Sequence, residues 1–210
     1  MTRGRFISLE GGEGVGKSTQ SARLATALRA RGLETVTTRE PGGTEGAEAI
    51  RHLLLDGGED RWNAPCEALL FAAARGDHVA KVIAPALARG AWVICDRFVD
   101  STRAYQGGGG GLDDGDILTL HRIGSGGLLP DRTLLLVLPG GAAAERCRAR
   151  DGANSDRMGA KPGDYHARLA ARFAAMAAAD PGRWRAIDAA GASDDVTARL
   201  LAALTDFIAC

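Results

Sequence analysis

The chain has 210 residues, 45% apolar and 25% charged, with 26 basic and 26 acidic side chains and a formal net charge of 0. That composition excludes wholesale disorder, and a chain of this length can bury roughly 70% of its unfolded surface without disulfides or metal. The charge balance gives no electrostatic reason to expect nucleic acid or an anionic membrane as a partner.

Phe6-Ile7-Ser8-Leu9 predicts a short buried strand, and Gly11 to Gly16 a glycine-rich turn. Leu24 and Leu28, with Ala25 and Ala27 between them, mark one face of a helix that stops near Gly32. Glu34 to Thr38 is rich in β-branched residues and predicts a second strand. Pro41-Gly42-Gly43 breaks it, and a helix follows through Ile50, Leu53 and Leu54. Ala64 to Arg89 is Ala-rich and mostly helical, with Gly76 and Pro85 marking a break or bend. Trp92 to Cys95 is a continuous apolar run ending at Asp96, which suits a strand buried on both faces.

Five successive glycines, Gly107 to Gly111, predict a loop. Ile117, Leu118, Leu120 and Ile123 predict another helix, and Leu134 to Leu138 a fourth strand halted by Pro139-Gly140-Gly141. Arg146 to Gly163 is polar and lacks apolar periodicity, so a mobile segment is expected there. Tyr165 to Ala179 is helical by composition, and Trp184 to Asp188 forms a short last strand. The apolar stripe from Val196 to Ile208 reads as one helix. Strands alternating with helices imply an α/β fold, a central parallel sheet flanked by helices, in a single domain over residues 1–210. Ligands of such sheets bind beyond the carboxyl ends of the strands, so the loops after Leu9, Thr38 and Cys95 are the places to look for chemistry.

Cys66, Cys95, Cys147 and Cys210 include no C-x-x-C pair, which argues against a zinc or redox site. The first apolar stretch, Phe6 to Leu9, is cut by Glu10 and is too short for a signal peptide. A cytoplasmic protein is expected. Only three of the basic residues are lysines (Lys17, Lys81 and Lys161), so a lysine here carries more information than an arginine.

Gly11-Gly12-Glu13-Gly14-Val15-Gly16-Lys17-Ser18 fits G-x-x-x-x-G-K-[ST] between a predicted strand and a predicted helix. Glycines let successive N–H groups turn inward as an anion nest, and the helix that starts at Lys17 aims its positive end at the same point. Lys17 suits the outer phosphates of ATP and the Ser18 hydroxyl suits Mg²⁺. Thr19, next along the helix, completes the ATP-binding set. No Asn-Lys pair exists to read guanine, which argues against a GTPase. An ATP-driven motor would want a longer chain and more partner surface. A small-molecule kinase needs a second pocket holding an acceptor in line with the γ-phosphate.

Thr38-Arg39-Glu40-Pro41-Gly42-Gly43-Thr44, Leu70-Phe71-Ala72-Ala73-Ala74-Arg75, Asp96-Arg97-Phe98 and Ser101-Thr102-Arg103-Ala104-Tyr105-Gln106-Gly107 supply such a pocket. Together with the phosphate loop they resemble thymidylate kinase of the bacterial type, which converts dTMP to dTDP with ATP. The resemblance implies a P-loop kinase fold with a mobile lid at about 146–163, Mg²⁺ as cofactor and a homodimer. It implies that Phe71 stacks on thymine, that Arg75 donates to its O4, and that Thr102 and Gln106 face the base edge near N3. It implies Tyr105 beside the sugar and Arg39, Arg51 and Arg97 around the acceptor phosphate. It further implies that Asp96 holds Mg²⁺ through water, that Arg157 (with Arg150 as alternate) reaches over the transferring phosphoryl group, and that Glu40 lies at the substrate.

Glu13 sits beside phosphates, where a carboxylate is costly unless it meets a metal water or a substrate hydroxyl; it joins Lys17, Arg97 and Arg157 as a candidate catalytic residue. Another deoxynucleoside monophosphate kinase, a nucleoside kinase and a nucleotide-binding regulator without turnover are the alternatives. The chain departs from the family pattern at Gly110, where an Arg is common, at Gly159 and Ala160 after the lid's Asp156-Arg157-Met158, and at Val137 and Gly141.

Overall fold

The computed structural model of the chain describes residues 3–138 and 163–208, together with positions 143 and 146. Five strands, β1 (Phe6–Glu10), β2 (Thr35–Arg39), β3 (Trp92–Asp96), β4 (Arg132–Val137) and β5 (Trp184–Asp188), form one sheet in the order β2-β3-β1-β4-β5. Every pairing is parallel, with Asp96 opposite Leu9 and Arg39, so β1, β2 and β3 end within one residue of one another while β4 runs two residues further.

Alternation along the strands sends neighbouring side chains into different layers. Ile7, Leu9, Ile94, Leu134 and Leu136 pack on Leu24 and Leu28 of α1 (Lys17–Arg29) and on Val196 and Leu200 of α8 (Ser193–Ala202). On the other face, Phe6, Val93 and Cys95 meet Val79, Ile83, Leu87 and Phe98. A third cluster joins Tyr105 and Leu135 to Tyr165, Leu169, Phe173 and Met176 of α7 (Gly163–Ala179). The remaining helices are α2 (Glu45–Leu55), α3 (Ala64–His78), α4 (Ala84–Ala88), α5 (Val99–Thr102), α6 (Asp114–Ser125) and α9 (Thr205–Ile208). The expected strands are all present, within two residues at each end, and the parallel α/β architecture stands.

Three expectations change. The glycine run is not a loop: Gly107 to Gly109 continue the helix as a π-helical segment, Arg103–Gly109, that follows α5. A Cβ on Gly108 would lie 2.6 Å from Arg172 Cβ and one on Gly109 2.4 Å from the Tyr165 ring, so these glycines let the segment press against α7. The long Ala64 to Arg89 stretch does not break at Gly76; it runs through α3 and a π-helical turn, Val79–Ile83, into α4. Gly76 instead brings α3 close to α6, since a Cβ there would sit 2.7 Å from the Gly124 carbonyl oxygen. The last stripe is split between α8 and α9. The proposed lid, with Arg150 and Arg157, lies outside the described residues apart from Arg146 and Gly163. No helix among the described residues is long and apolar enough to cross a membrane.

Candidate active site

A cavity of about 530 Å³ opens beyond the carboxyl ends of β1, β2 and β3. Glu13, Gly14, Gly16, Lys17, Ser18 and Thr19 line one side of it. Gly14 and Gly16 have φ of 72° and 93°, a left-handed backbone that glycine adopts without steric cost. Gly16 precedes α1, and no described side chain caps that helix, so its first amides are left for an anion. Gly11 approaches β4 so closely that a Cβ would lie 2.6 Å from the Leu136 carbonyl oxygen. Val15 turns into the core beside Leu24 rather than into the cavity.

Lys17 Nζ donates to the carbonyl oxygens of Gly11 (3.0 Å) and Gly12 (2.5 Å). Burial, with Arg97 beside it, lowers its pKa to about 7, although Asp96, Glu13 and Glu10 pull the other way. Ser18 Oγ donates to Asp96 Oδ2 at 2.5 Å, while Asp96 Oδ1 is buried without a hydrogen-bond partner among the described residues. A hydroxyl beside a carboxylate with a spare oxygen is a hard-oxygen donor set that fits Mg²⁺, whose other ligands are usually phosphates and waters.

The cavity is also lined by Arg39, Glu40, Arg51, Phe71 and Arg75, with Thr102, Tyr105 and Gln106, while Arg97 reaches the phosphate loop at Gly11 and Glu13. Arg97 takes a φ of 68°, stacks over the Tyr105 ring at 5.0 Å and donates weakly to Glu13 Oε1 at 3.4 Å. Burial opposes its charge, yet Tyr105, Glu13, Asp96 and Glu10 outweigh that and hold its pKa above the usual guanidinium value. Burial pushes the Tyr105 hydroxyl up to about 12. Arg39 stands at the rim, paired with Glu48 at 3.1 Å, and Arg51 donates to the Pro41 carbonyl oxygen at 2.7 Å. The Glu40–Pro41 peptide bond is cis.

Helix α3 carries Glu67, Phe71 and Arg75 at successive four-residue steps, which puts them on one face. Arg75 Nε donates to Glu40 Oε2 at 2.7 Å, and one of its terminal nitrogens donates to Thr102 Oγ1 at 2.8 Å. Gln106 Nε2 donates to Glu67 Oε2 at 2.9 Å. His78 Nδ1–H donates to the second Glu40 oxygen at 3.1 Å, and His78 Nε2 lies 2.7 Å from Thr38 Oγ1. Beneath the cavity, Glu10 accepts from the Phe98 amide and the Ser101 hydroxyl. Burial and the neighbouring Asp100 raise its pKa to about 8.

The structure therefore brings Glu13, Lys17, Ser18, Thr19, Asp96 and Arg97 together with Arg39, Glu40, Arg51, Phe71, Arg75, Thr102, Tyr105 and Gln106 around one space. Gly11, Gly12 and Val15 support it from behind. Arg157 lies outside the described residues. Glu10, Glu67 and His78 received no role from the sequence. Glu67 could have been found, because it precedes Phe71 and Arg75 on the same four-residue spacing; Glu10 is the first acid of the phosphate-loop string. At Gly110 a Cβ would lie 2.7 Å from the Gln106 carbonyl oxygen, so backbone fills the space near a side chain's root.

An amide-lined anion cradle facing an arginine-lined pocket at the end of a parallel sheet defines a P-loop kinase acting on a small phosphorylated acceptor. A family model described as thymidylate kinase matches residues 9–200. A thymidylate kinase of Rhizorhabdus wittichii is 61% identical over 205 residues, spanning 98% of this chain and 99% of that protein. One from Caulobacter vibrioides is 51% identical over 200 residues, 95% of each chain. Among solved structures, the thymidylate kinase from Ehrlichia chaffeensis superposes with a TM-score of 0.78 at 31% identity, covering 96% of this chain and 99% of that one. The chain belongs to the thymidylate kinase family and is a transferase that phosphorylates dTMP to dTDP.

Proposed function

We propose that the two sides of the cavity divide this reaction between them. The amides of the phosphate loop and Lys17 hold the outer phosphates of ATP, with Thr19 beside them. Arg39, Arg51 and Arg97 hold the phosphate of dTMP, since a dianion needs several fixed cations and guanidinium forks hold it in one orientation. Phe71 stacks on thymine, Arg75 donates to O4, Thr102 and Gln106 meet the base edge, and Tyr105 bounds the sugar. Glu40 acts by holding Arg75. Glu13 meets a sugar hydroxyl or a metal-bound water.

An oxygen of the dTMP phosphate attacks the γ-phosphorus of ATP, the bond to the β,γ-bridging oxygen breaks, and ADP leaves. No general base is needed because the attacking oxygen is already ionised. Lys17, Arg97 and Arg157 offset the charge spread over the transferring group. Ser18, and Asp96 through water, would hold Mg²⁺, which supplies charge neutralisation at the ATP phosphates when bound. To the segment 146–163, most of which lies outside the described residues, we assign the exclusion of water.

The single observation that carries this reading is the common cavity: Lys17 and Ser18 border the same space as Phe71, Arg75 and Gln106. The chain acts as one domain, in the cytoplasm and as a homodimer. Leu69 on α3 (55% exposed) and Ile123 on α6 (72%) are exposed large apolar side chains on two packed helices, which supports pairing through these helices. A coupled ADP-release assay across dTMP, dUMP, dCMP and dAMP tests the chemistry; turnover led by dTMP is expected, and none with any acceptor removes the reading. Sedimentation equilibrium tests the dimer.

A further inference from the structure

Thymine and cytosine present opposite hydrogen-bonding patterns along one edge. A 4-oxopyrimidine offers an acceptor at O4 and a donor at N3–H; a 4-aminopyrimidine offers a donor at N4 and an acceptor at N3. Arg75 can only donate, so it settles the first position. The second falls to Gln106, whose amide can donate or accept according to which way it is turned. Nothing about Gln106 itself chooses between the two.

The choice is made behind it. Gln106 is 1% exposed and Glu67 5% exposed, and the Gln106 amide nitrogen donates to Glu67 Oε2 at 2.9 Å. A carboxylate accepts and does not donate, so the amide must turn its NH₂ toward Glu67. Gln106 Oε1 is thereby left buried with no hydrogen-bond partner among the described residues, on a side chain that lines the cavity. A buried amide oxygen without a partner is uncommon and calls for an explanation. Arg75 is held in a parallel way, by Glu40 Oε2 at 2.7 Å. Arg75 and Gln106 thus each have a buried acid behind them.

We propose that Glu67 is a specificity-determining positioning residue. By accepting the Gln106 amide protons it presents the Gln106 carbonyl oxygen to the base, where that oxygen accepts from N3–H of a 4-oxopyrimidine and repels the N3 lone pair of a 4-aminopyrimidine. The inference rests on the placement of the base against Phe71.

Glu67→Gln keeps the shape and lets the Gln106 amide turn either way. Measured as kcat/KM, the preference for dTMP over dCMP falls about tenfold or more, the worth of one buried hydrogen bond and its mismatch. KM for dTMP rises, while ADP affinity measured without acceptor stays within about twofold of wild type. In a Gln106→Met background, Glu67→Gln changes the preference by less than about twofold, because its intermediary is gone. Parallel loss with dTMP and dCMP, or a full effect of Glu67→Gln without Gln106, overturns the proposal.

If Glu67→Gln does not fold, NMR of the wild-type complex decides. The thymine N3–H proton should be protected from exchange and close to the Gln106 side chain, with the Gln106 NH₂ resonances unmoved by dTMP. A freely exchanging N3–H with shifted NH₂ resonances overturns the proposal. Phe71→Ala separates the two levels. If it leaves KM for dTMP unchanged, the base pocket itself is misplaced; if it raises KM while Glu67→Gln leaves the preference intact, only the role of Glu67 fails.

Discussion

Arg75 and Glu40 form an ion pair almost sealed from water, with Nε donating to Oε2 at 2.7 Å and the two side chains 2% and 4% exposed. The guanidinium comes from α3 and the carboxylate from the turn after β2, so the pair ties the base pocket to the end of the strand that carries Arg39. Removing one partner of a buried pair strands the other charge, which costs about 3–5 kcal/mol. Glu40→Ala should therefore lower unfolding free energy by about that amount in urea titration. Replacing both groups at once, as Glu40→Ala with Arg75→Leu, should recover much of the loss, because no charge is then left buried. A double variant as unstable as Glu40→Ala alone would show that the cost lies in packing.

Lys17 makes nucleotide binding sensitive to pH. Its pKa is about 7 in the free protein, chiefly through burial, so at pH 8 much of it is neutral. A polyphosphate favours the ammonium form and raises that pKa, so binding above pH 7 takes up a proton. The ATP dissociation constant should rise by up to about tenfold per pH unit above 7, as expected when one proton is linked to binding. Calorimetry at pH 8 in two buffers of different ionisation enthalpy measures the uptake. Glu10, at about 8, titrates in the same range. The part of the slope that vanishes in Lys17→Met belongs to Lys17. A wild-type affinity flat from pH 6.5 to 9 would count against the buried lysine. Stability moves the opposite way: the folded pKa lies below the unfolded 10.5, so this lysine's penalty is full below pH 7 and fades as pH rises toward 10.5.

The sequence carried the strands and the phosphate loop because each depends on local chemistry: apolar runs of strand length, and glycines where the backbone must turn. The base and phosphate pockets were legible only through the motif string, since Phe71, Arg75, Thr102 and Gln106 meet by tertiary packing of α3 on the segment after β3. What stayed hidden were partners of partners. Glu67, His78 and Glu10 touch other side chains rather than the cavity's contents, and nothing at their own positions announces which donor each will face. Arg183, just before β5, is another case: it reaches Asp100 of α5 at 2.5 Å, a partner 83 positions earlier in the chain. The glycine run misled because composition reads as flexibility when the cause is close approach.

That difference has a measurable sign. In a mobile loop, Gly→Ala stabilises by reducing the freedom of the unfolded chain. Here a Cβ at Gly108 or Gly109 meets α7 at 2.6 and 2.4 Å, and Tyr165, the neighbour at Gly109, also donates its hydroxyl to the Tyr105 carbonyl oxygen at 2.9 Å. Gly108→Ala and Gly109→Ala should each destabilise by about 1–3 kcal/mol, the cost of overpacking. Gly109→Ala should also raise KM for dTMP, because it pushes on the segment bearing Tyr105 and Gln106. Gly111 has a φ of 82° with open space around it, so Gly111→Ala should cost only the backbone strain, about 1–2 kcal/mol, and leave KM unchanged. Thermal melts with steady-state kinetics check all three. Stabilisation by Gly108→Ala or Gly109→Ala would return the run to a loop.

Arg75→Ala tests the base reading from the donor side. The substitution removes the guanidinium that bonds Thr102 and Glu40, neither of which belongs to the phosphate loop. A site built to hydrogen-bond one group rejects analogues lacking it by large factors, because its own polar atoms go unpaired. Losing the donor should cut the preference for dTMP over dCMP by about a hundredfold in kcat/KM, most of it from slower dTMP turnover at low concentration. ATP affinity should move by less than about twofold, since the effects of well-separated sites are nearly independent. The two measurements together locate the residue: preference lost with ATP binding intact places Arg75 at the base, whereas an equal fall in both would place the damage in the fold. A variant that still chose dTMP as strongly as the wild type would show that O4 is read by another group.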